Sequence, residues 1–190
     1  MHIRSSRNWT LDDAGRLPAA RFRASPNFDE RPAGDAITLL VVHGISLPPG
    51  CFRGDAVTDF FLNRLDCSAH PYFAGLGMLR VSSHFFIRRR GELVQFVACS
   101  QRAWHAGASS WQGRARCNDF SIGIELEGTD ATPFTQPQYR TLARLTRVLQ
   151  GAYPIRDIVG HADIAPGRKT DPGPHFDWVH YRALIAAEGA

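Results

Sequence analysis

The sequence predicts an α/β protein, with a central mixed β-sheet flanked by α-helices. Three observations carry that reading. Residues 37–42, ITLLVV, are a short, apolar, partly β-branched run of the kind found in strands buried on both faces. Residues 135–151 combine a capping box, an apolar stripe at helical spacing and a terminal glycine. Between them lie a hairpin signal and an alternating strand, so helices and strands are interleaved and the sheet is mixed. At 190 residues, 44% apolar and 21% charged, the chain has ordinary globular composition and the length of one domain over 1–190.

Residues 1–36 are rich in Pro, Arg and Asp and read as an irregular N-terminal arm. The arm's start is polar and lacks an apolar h-region, so no secretory signal is expected and the protein is expected in the cytoplasm. The ITLLVV strand ends at His43-Gly44. A helix is expected over 55–65, from the spacing of Val57, Phe60, Phe61 and Leu65 behind Asp55 as N-cap. Residues 84–88 and 92–97 read as a hairpin around Arg90-Gly91, which makes Arg88-Arg89-Arg90 a turn on a solvated edge rather than a phosphate site. SIGIELEG, 121–128, alternates as a strand does. In the following helix, Thr135 and Gln138 form the capping box and Pro137 occupies the first turn. Tyr139, Leu142, Leu145 and Leu149 make the stripe, and Gly151 ends it. A short strand at Ile158-Val159 and a last helix over 176–187, with Asp177 near its start, complete the pattern.

The formal charge of +4 suits an anionic ligand, but the arginines are dispersed, so no nucleic-acid partner is expected. No window approaches 18 consecutive apolar residues, so no membrane-spanning helix is expected. Cys51, Cys67, Cys99 and Cys117 lie far apart without a C-x-x-C pair and read as reduced thiols. His43 and His161 each end an apolar strand, where ligands usually sit in α/β folds. With Asp171, held among prolines in GHADIAPGRKTDPGPHFDW, they make a facial set suited to Zn²⁺ with its fourth position open. There is no local HExxH-like signature, so spacing alone does not identify this site. Asp171 precedes Pro172 and is biased towards extended backbone, which lets Lys169 point to the same side. Glu125 and Glu127 share one strand face, and alternation does not choose between them. His84 lines a cleft or packs in the core. His105 in RAWHAG is the stronger cleft-wall candidate, and Trp104 beside it packs on a ligand or in the core.

The blocks HGISLPPG, RVSSHFFIRRRGELVQFV, RAWHAG, RCNDFSIGIELEGTD, QYRTLARLTR and GHADIAPGRKTDPGPHFDW resemble, in order, the AmpD-type N-acetylmuramoyl-L-alanine amidases. These belong with the zinc amidases of phage-lysozyme and peptidoglycan-recognition-protein type, and the similarity runs from about residue 4 to residue 182. The resemblance implies an amidase fold with one zinc ion per chain at the strand ends. It also implies cleavage of the bond between the lactyl group of N-acetylmuramic acid and L-alanine in 1,6-anhydro-muropeptides. That activity belongs to cytoplasmic cell-wall recycling and keeps β-lactamase induction low; a monomer is expected.

Carried over by position, the resemblance implies His43, His161 and Asp171 as ligands, Glu125 as catalytic acid/base and Lys169 as catalytic cation. Gly44 stands where the family commonly has Asn. Because the stem peptide carries carboxylates, Arg80 and Arg116, at family-like positions, are the expected substrate forks. Asn118 reaches the substrate or braces the turn before its strand. A non-catalytic peptidoglycan-binding module of the same fold is the alternative class, but such receptors typically lose a ligand position and all are kept here.

Overall fold

Residues 9–187 are described by a computed structural model. In chain order the strands and helices are β1 (Arg21–Phe22), β2 (Phe28–Glu30), β3 (Leu39–Ile45), α1 (Ala56–Phe61), β4 (Phe85–Ile87), β5 (Leu93–Gln95), β6 (Gln101–Ala103), β7 (Ser110–Trp111), β8 (Arg114–Ala115), β9 (Ser121–Glu127), α2 (Gln136–Ala152), β10 (Asp157–Gly160), α3 (His161–Ile164) and α4 (Trp178–Ala187). The main sheet has the order β1-β5-β4-β9-β3-β10. Its pairs are parallel except the β4–β5 hairpin, so the sheet is mixed.

The central strands are apolar on both faces because both are covered. Leu40, Val42, Ile122, Ile124 and Leu126 pack with Leu142, Leu145 and Leu149 of α2 and Tyr181 of α4. On the opposite face Leu39 and Val41 meet Phe120, Val159 and Ile164. Phe60 and Phe61 of α1 pack with Phe86 and Phe96 in a second apolar cluster. Each such aliphatic or aromatic side chain, fully buried, contributes about 1.5–3 kcal/mol.

The α2 capping box forms as its sequence implies. Gln138 N–H donates to Thr135 Oγ1 at 3.3 Å, and Thr135 N–H donates to Gln138 Oε1 at 3.0 Å. Gly151 does not end the helix, which runs to Ala152 and closes with Tyr153 N–H on the Leu149 carbonyl. The first helix is also shorter than its apolar spacing suggests. It stops at Phe61, and Asp55 makes no side-chain cap because its carboxylate accepts from Arg88 at 2.8 Å. The strand expected to end at His43-Gly44 runs one residue further, to Ile45.

Two further differences have long-range causes. The N-terminal arm is not wholly irregular: β1 joins β5 in parallel, and β2 pairs antiparallel with β6. Residues 1–8 of the arm lie outside the described residues. The arginine run is not simply a solvated turn either. Arg88 lies 3.7 Å from Glu127, and Arg89 N–H donates to Glu127 Oε2 at 2.9 Å. Gly91 in that turn has φ +82°, and a Cβ there would sit 2.9 Å from the Pro137 carbonyl oxygen. Only glycine meets both demands.

Thr135 Oγ1 also donates to the Arg89 carbonyl at 2.6 Å, joining α2 to the hairpin. Thr135→Ala is expected to lower stability by about 1–2 kcal/mol, the upper range for losing an N-cap. Urea denaturation measures the shift.

Candidate metal centre and cleft

Parallel register assembles the site. His43 of β3 lies opposite Glu125 of β9, and Gly160 of β10 lies opposite Val42. The residue after Gly160, His161, opens α3 and is carried alongside His43. The following loop folds back on itself: Lys169 N–H donates to the Ala165 carbonyl at 3.0 Å, and Ala162 N–H to the Asp171 carbonyl at 2.9 Å. Gly160 permits this return, since a Cβ there would sit 2.8 Å from Pro172 Cδ. Three elements from distant parts of the chain thus meet at the carboxyl ends of parallel strands, where α/β sheets bind ligands.

His43 Nδ1 lies 3.0 Å from His161 Nδ1 and 3.2 Å from Asp171 Oδ2, and the last two atoms are 3.1 Å apart. His43 and His161 are buried and Asp171 is partly so. Burial pushes the His43 imidazole down to about 4, against the upward pull of Asp171, so it is neutral near pH 7. Burial alone would raise the Asp171 carboxyl, but hydrogen bonds from His161 and His43 outweigh it and hold the group well below the usual carboxylate range. The His43–Asp171 contact is therefore not an ion pair at neutral pH. A shared cation would displace the protons from these contacts and take the three atoms as lone-pair donors. Ligands of a tetrahedral zinc at about 2.0–2.1 Å would be about 3.3 Å apart, close to the spacing seen.

A cleft of about 530 Å³ opens over these atoms, lined among others by Glu125, Trp104, His105, Arg168 and Lys169. Glu125 and Glu127 share a strand face but meet different surroundings. Glu127 is taken up by Arg88 and Arg89, as described, and does not line the cleft. Glu125 lines it, and among the described residues its Oε2 is a buried oxygen with no hydrogen-bond partner. Burial, with the Asp171 charge adding to it, holds the Glu125 carboxyl well above its ordinary value; Lys169 acts in the opposite direction. An unpartnered carboxylate oxygen on a residue that shares a cleft with His161 and Asp171 fits a site that receives a polarised water.

The other expected residues divide. Trp104 lines the cleft, with its indole Nε1 donating to Asp29 of the arm at 3.1 Å. His105 lines it too, but its ring nitrogens meet His43 Nε2 at 3.0 Å and Ser121 Oγ at 3.1 Å. Asn118 does not line the cleft: its Oδ1 accepts from the N–H groups of His105 and Ala106, bracing that segment. Arg80 is exposed and donates to the carbonyls of Gly77 and Leu79. Arg116 is also exposed and pairs with Asp119 at 3.1 Å. Neither arginine is among the cleft-lining residues.

His84 is core, its Nδ1 accepting from Gly123 N–H. Arg168, which lines the cleft and donates to the carbonyls of Ala106 and Ala108, escaped sequence reasoning. Its only signal was adjacency to Lys169. Gly44 borders the cleft, and a Cβ there would meet Phe134 at 3.4 Å and Pro172 at 3.6 Å, ordinary contacts. Packing does not force a glycine at that position.

Gly123 is different. A Cβ there would fall 2.4 Å from the His105 ring. Gly123→Ala is expected to cost about 1–3 kcal/mol by overpacking, read from urea denaturation, and to displace His105.

Residues 33–174 match the family model of N-acetylmuramoyl-L-alanine amidase. A 1,6-anhydro-N-acetylmuramyl-L-alanine amidase, AmpD, of Escherichia coli (strain K12) is 54% identical over 180 residues, covering 94% of this chain and 98% of that protein. The AmpD of Haemophilus influenzae (strain ATCC 51907 / DSM 11121 / KW20 / Rd) is 52% identical, over 91% of this chain and 96% of its own. A crystal structure of a selenomethionine AmpD derivative superposes with a TM-score of 0.90 at 56% identity, over 92% of this chain and 98% of that one. The amidase AmiD of E. coli, solved with anhydro-N-acetylmuramic acid-L-Ala-D-γ-Glu-L-Lys, is 31% identical with a TM-score of 0.59, over 83% of this chain and 65% of its own. From the family model and these full-length similarities, the chain belongs to the N-acetylmuramoyl-L-alanine amidase family.

Proposed function

We propose that this cleft hydrolyses the amide between the lactyl carbonyl of the N-acetylmuramoyl group and L-alanine in 1,6-anhydro-muropeptides. His43, His161 and Asp171 hold one zinc ion. The observation that carries this reading is the cluster of three metal-type donors, two of which, His161 and Asp171, line the same cleft as Glu125 with its unpartnered Oε2. The names of the AmpD relatives and the substrate complex of AmiD support the choice of substrate. In this reading the chain is one amidase domain acting as a monomer in cytoplasmic cell-wall recycling. Removal of anhydro-muropeptides by this reaction limits β-lactamase induction.

When bound, zinc supplies Lewis acidity that lowers the pKa of a water to about 7 and polarises a carbonyl. The chain's own groups do the rest. Glu125 accepts the water proton at Oε2 and returns it to the departing alanine nitrogen, converting a poor leaving group into an amine. Burial strengthens it as a base, since its carboxyl holds a proton more tightly than an exposed one. Lys169, fixed by its backbone bond to Ala165, provides the cation for the oxygen that becomes negative as the carbonyl is attacked. One such well-placed donor contributes about 3–4 kcal/mol to the transition state. Trp104, held by Asp29, forms a flat apolar wall for the sugar or the alanine methyl.

Asp171→Ala is expected to lose zinc, measured by metal analysis of the purified protein; full occupancy would remove Asp171 from the ligand set. Glu125→Gln is expected to keep zinc while kcat falls about 10²–10⁴-fold. Near-wild-type turnover by that variant would rule out its role as base. Lys169→Met is expected to lose about 10²–10³-fold in kcat. Substrate class is tested by comparing anhydro-muropeptide with intact sacculi and identifying products by mass. Preferential cleavage of sacculi would overturn the recycling assignment.

A further inference from the structure

A neutral imidazole offers a lone pair at one nitrogen and a proton at the other, so the nitrogen that faces a metal is set by what the opposite nitrogen meets. In this cleft both histidines face the cluster through Nδ1. As ligands, both need their protons on Nε2. His161 Nε2 lies 3.2 Å from the Ala106 carbonyl, which can only accept. His43 Nε2 lies 3.0 Å from His105 Nδ1, and His105 Nε2 lies 3.1 Å from the Ser121 hydroxyl. His105 accepts at Nδ1 only when its own proton is on Nε2, and Ser121 Oγ can take that hydrogen bond. The chain of contacts is therefore directional, running from His43 through His105 to Ser121.

The two orienting groups are consecutive residues, and the structure holds them firmly. Asn118 Oδ1 accepts from His105 N–H at 3.1 Å and from Ala106 N–H at 2.8 Å. Arg168 Nη2 donates to the Ala106 carbonyl at 2.8 Å. The His105 ring occupies the space left by the missing side chain of Gly123, and it is nearly inaccessible, at 9% exposure. Its nitrogens are both engaged away from the open cleft, so it is poorly placed to bind substrate directly.

We propose that His105, backed by Ser121, is the positioning residue that keeps the His43 proton on Nε2 and its Nδ1 lone pair directed at the metal. The neighbouring Ala106 carbonyl does the same for His161. This inference rests on the zinc reading of the cluster. Orienting partners of this kind change metal affinity about 10–100-fold when removed.

The test measures zinc affinity by competition with a chromophoric chelator, and the visible spectrum of the Co²⁺-substituted protein. The variants are His105→Leu, His105→Asn and Ser121→Ala. His105→Leu fills the space without an acceptor and is expected to bind zinc about 10–100-fold more weakly, with altered Co²⁺ bands. His105→Asn, whose Oδ1 can occupy the place of Nδ1, should recover most of the affinity. Ser121→Ala should show a smaller loss in the same direction. Wild-type affinity in both His105→Leu and Ser121→Ala would overturn the proposal. So would equal losses in the Leu and Asn variants, which would reduce His105 to packing.

If His105→Leu does not fold, the other two variants decide. Near-wild-type binding by Asn with a small loss in Ser121→Ala supports the relay, and any other result overturns it. A wild-type chain that binds no zinc overturns the metal reading itself, which separates the two failures.

Discussion

Pairing β3 with β9 in parallel sets Val41 against Gly123 and His43 against Glu125, and the placement of every other reactive group follows from that register. A slip of one residue would turn His43 to the opposite face and replace Gly123 with a residue whose side chain excludes His105. On its other edge β3 pairs with β10, which carries His161 to the same end of the sheet. The return of the 165–174 loop then adds Asp171 and Lys169. One register thus brings together groups contributed by residues 43, 125, 161, 169 and 171.

The arrangement concentrates polar groups where water is scarce. His43, His105, Ser121, Glu125 and His161 are all buried. Burying such groups is unfavourable unless each finds a partner. Most do: the histidines engage one another, a serine hydroxyl and the Ala106 carbonyl. Glu125 Oε2 is the exception. The apolar packing of β3 and β9 against α2 and α4 supplies the stability that lets such a cluster persist. Local rules of folding are broken at the place where the chemistry is proposed, as functional sites often require.

Much of this was legible in the sequence where information is local. The α2 capping box, the β4–β5 hairpin and the apolar β3 run are written into neighbouring residues, and the structure forms all three. The choice between Glu125 and Glu127 was not legible from alternation, because period two puts both on one face. Arg88 and Arg89, nearly forty residues earlier, engage Glu127 and leave Glu125 as the one that lines the cleft. Asn118 and His105 illustrate the same limit. His105 lines the cleft as expected and Asn118 is a brace, one of its two readings, but their partners, His43 with Ser121 and the 105–106 backbone, are brought near only by the folded sheet. The strands of the N-terminal arm were hidden because each pairs with a segment far along the chain.

That arm also bears on the order in which the molecule is built. Arg31 donates to the carbonyls of Cys99, Asn118, Asp119 and Ser121, all 68 to 90 residues downstream. These segments flank the cleft wall, and the partly buried Arg31 joins them. Contacts of such long sequence separation form slowly, because a long loop must close before they contribute. During synthesis Arg31 emerges before any of these acceptors, and its set of partners is complete only once residue 121 has left the ribosome. The segments behind the cleft wall are thus tied together late, by a residue made 68 to 90 positions before them.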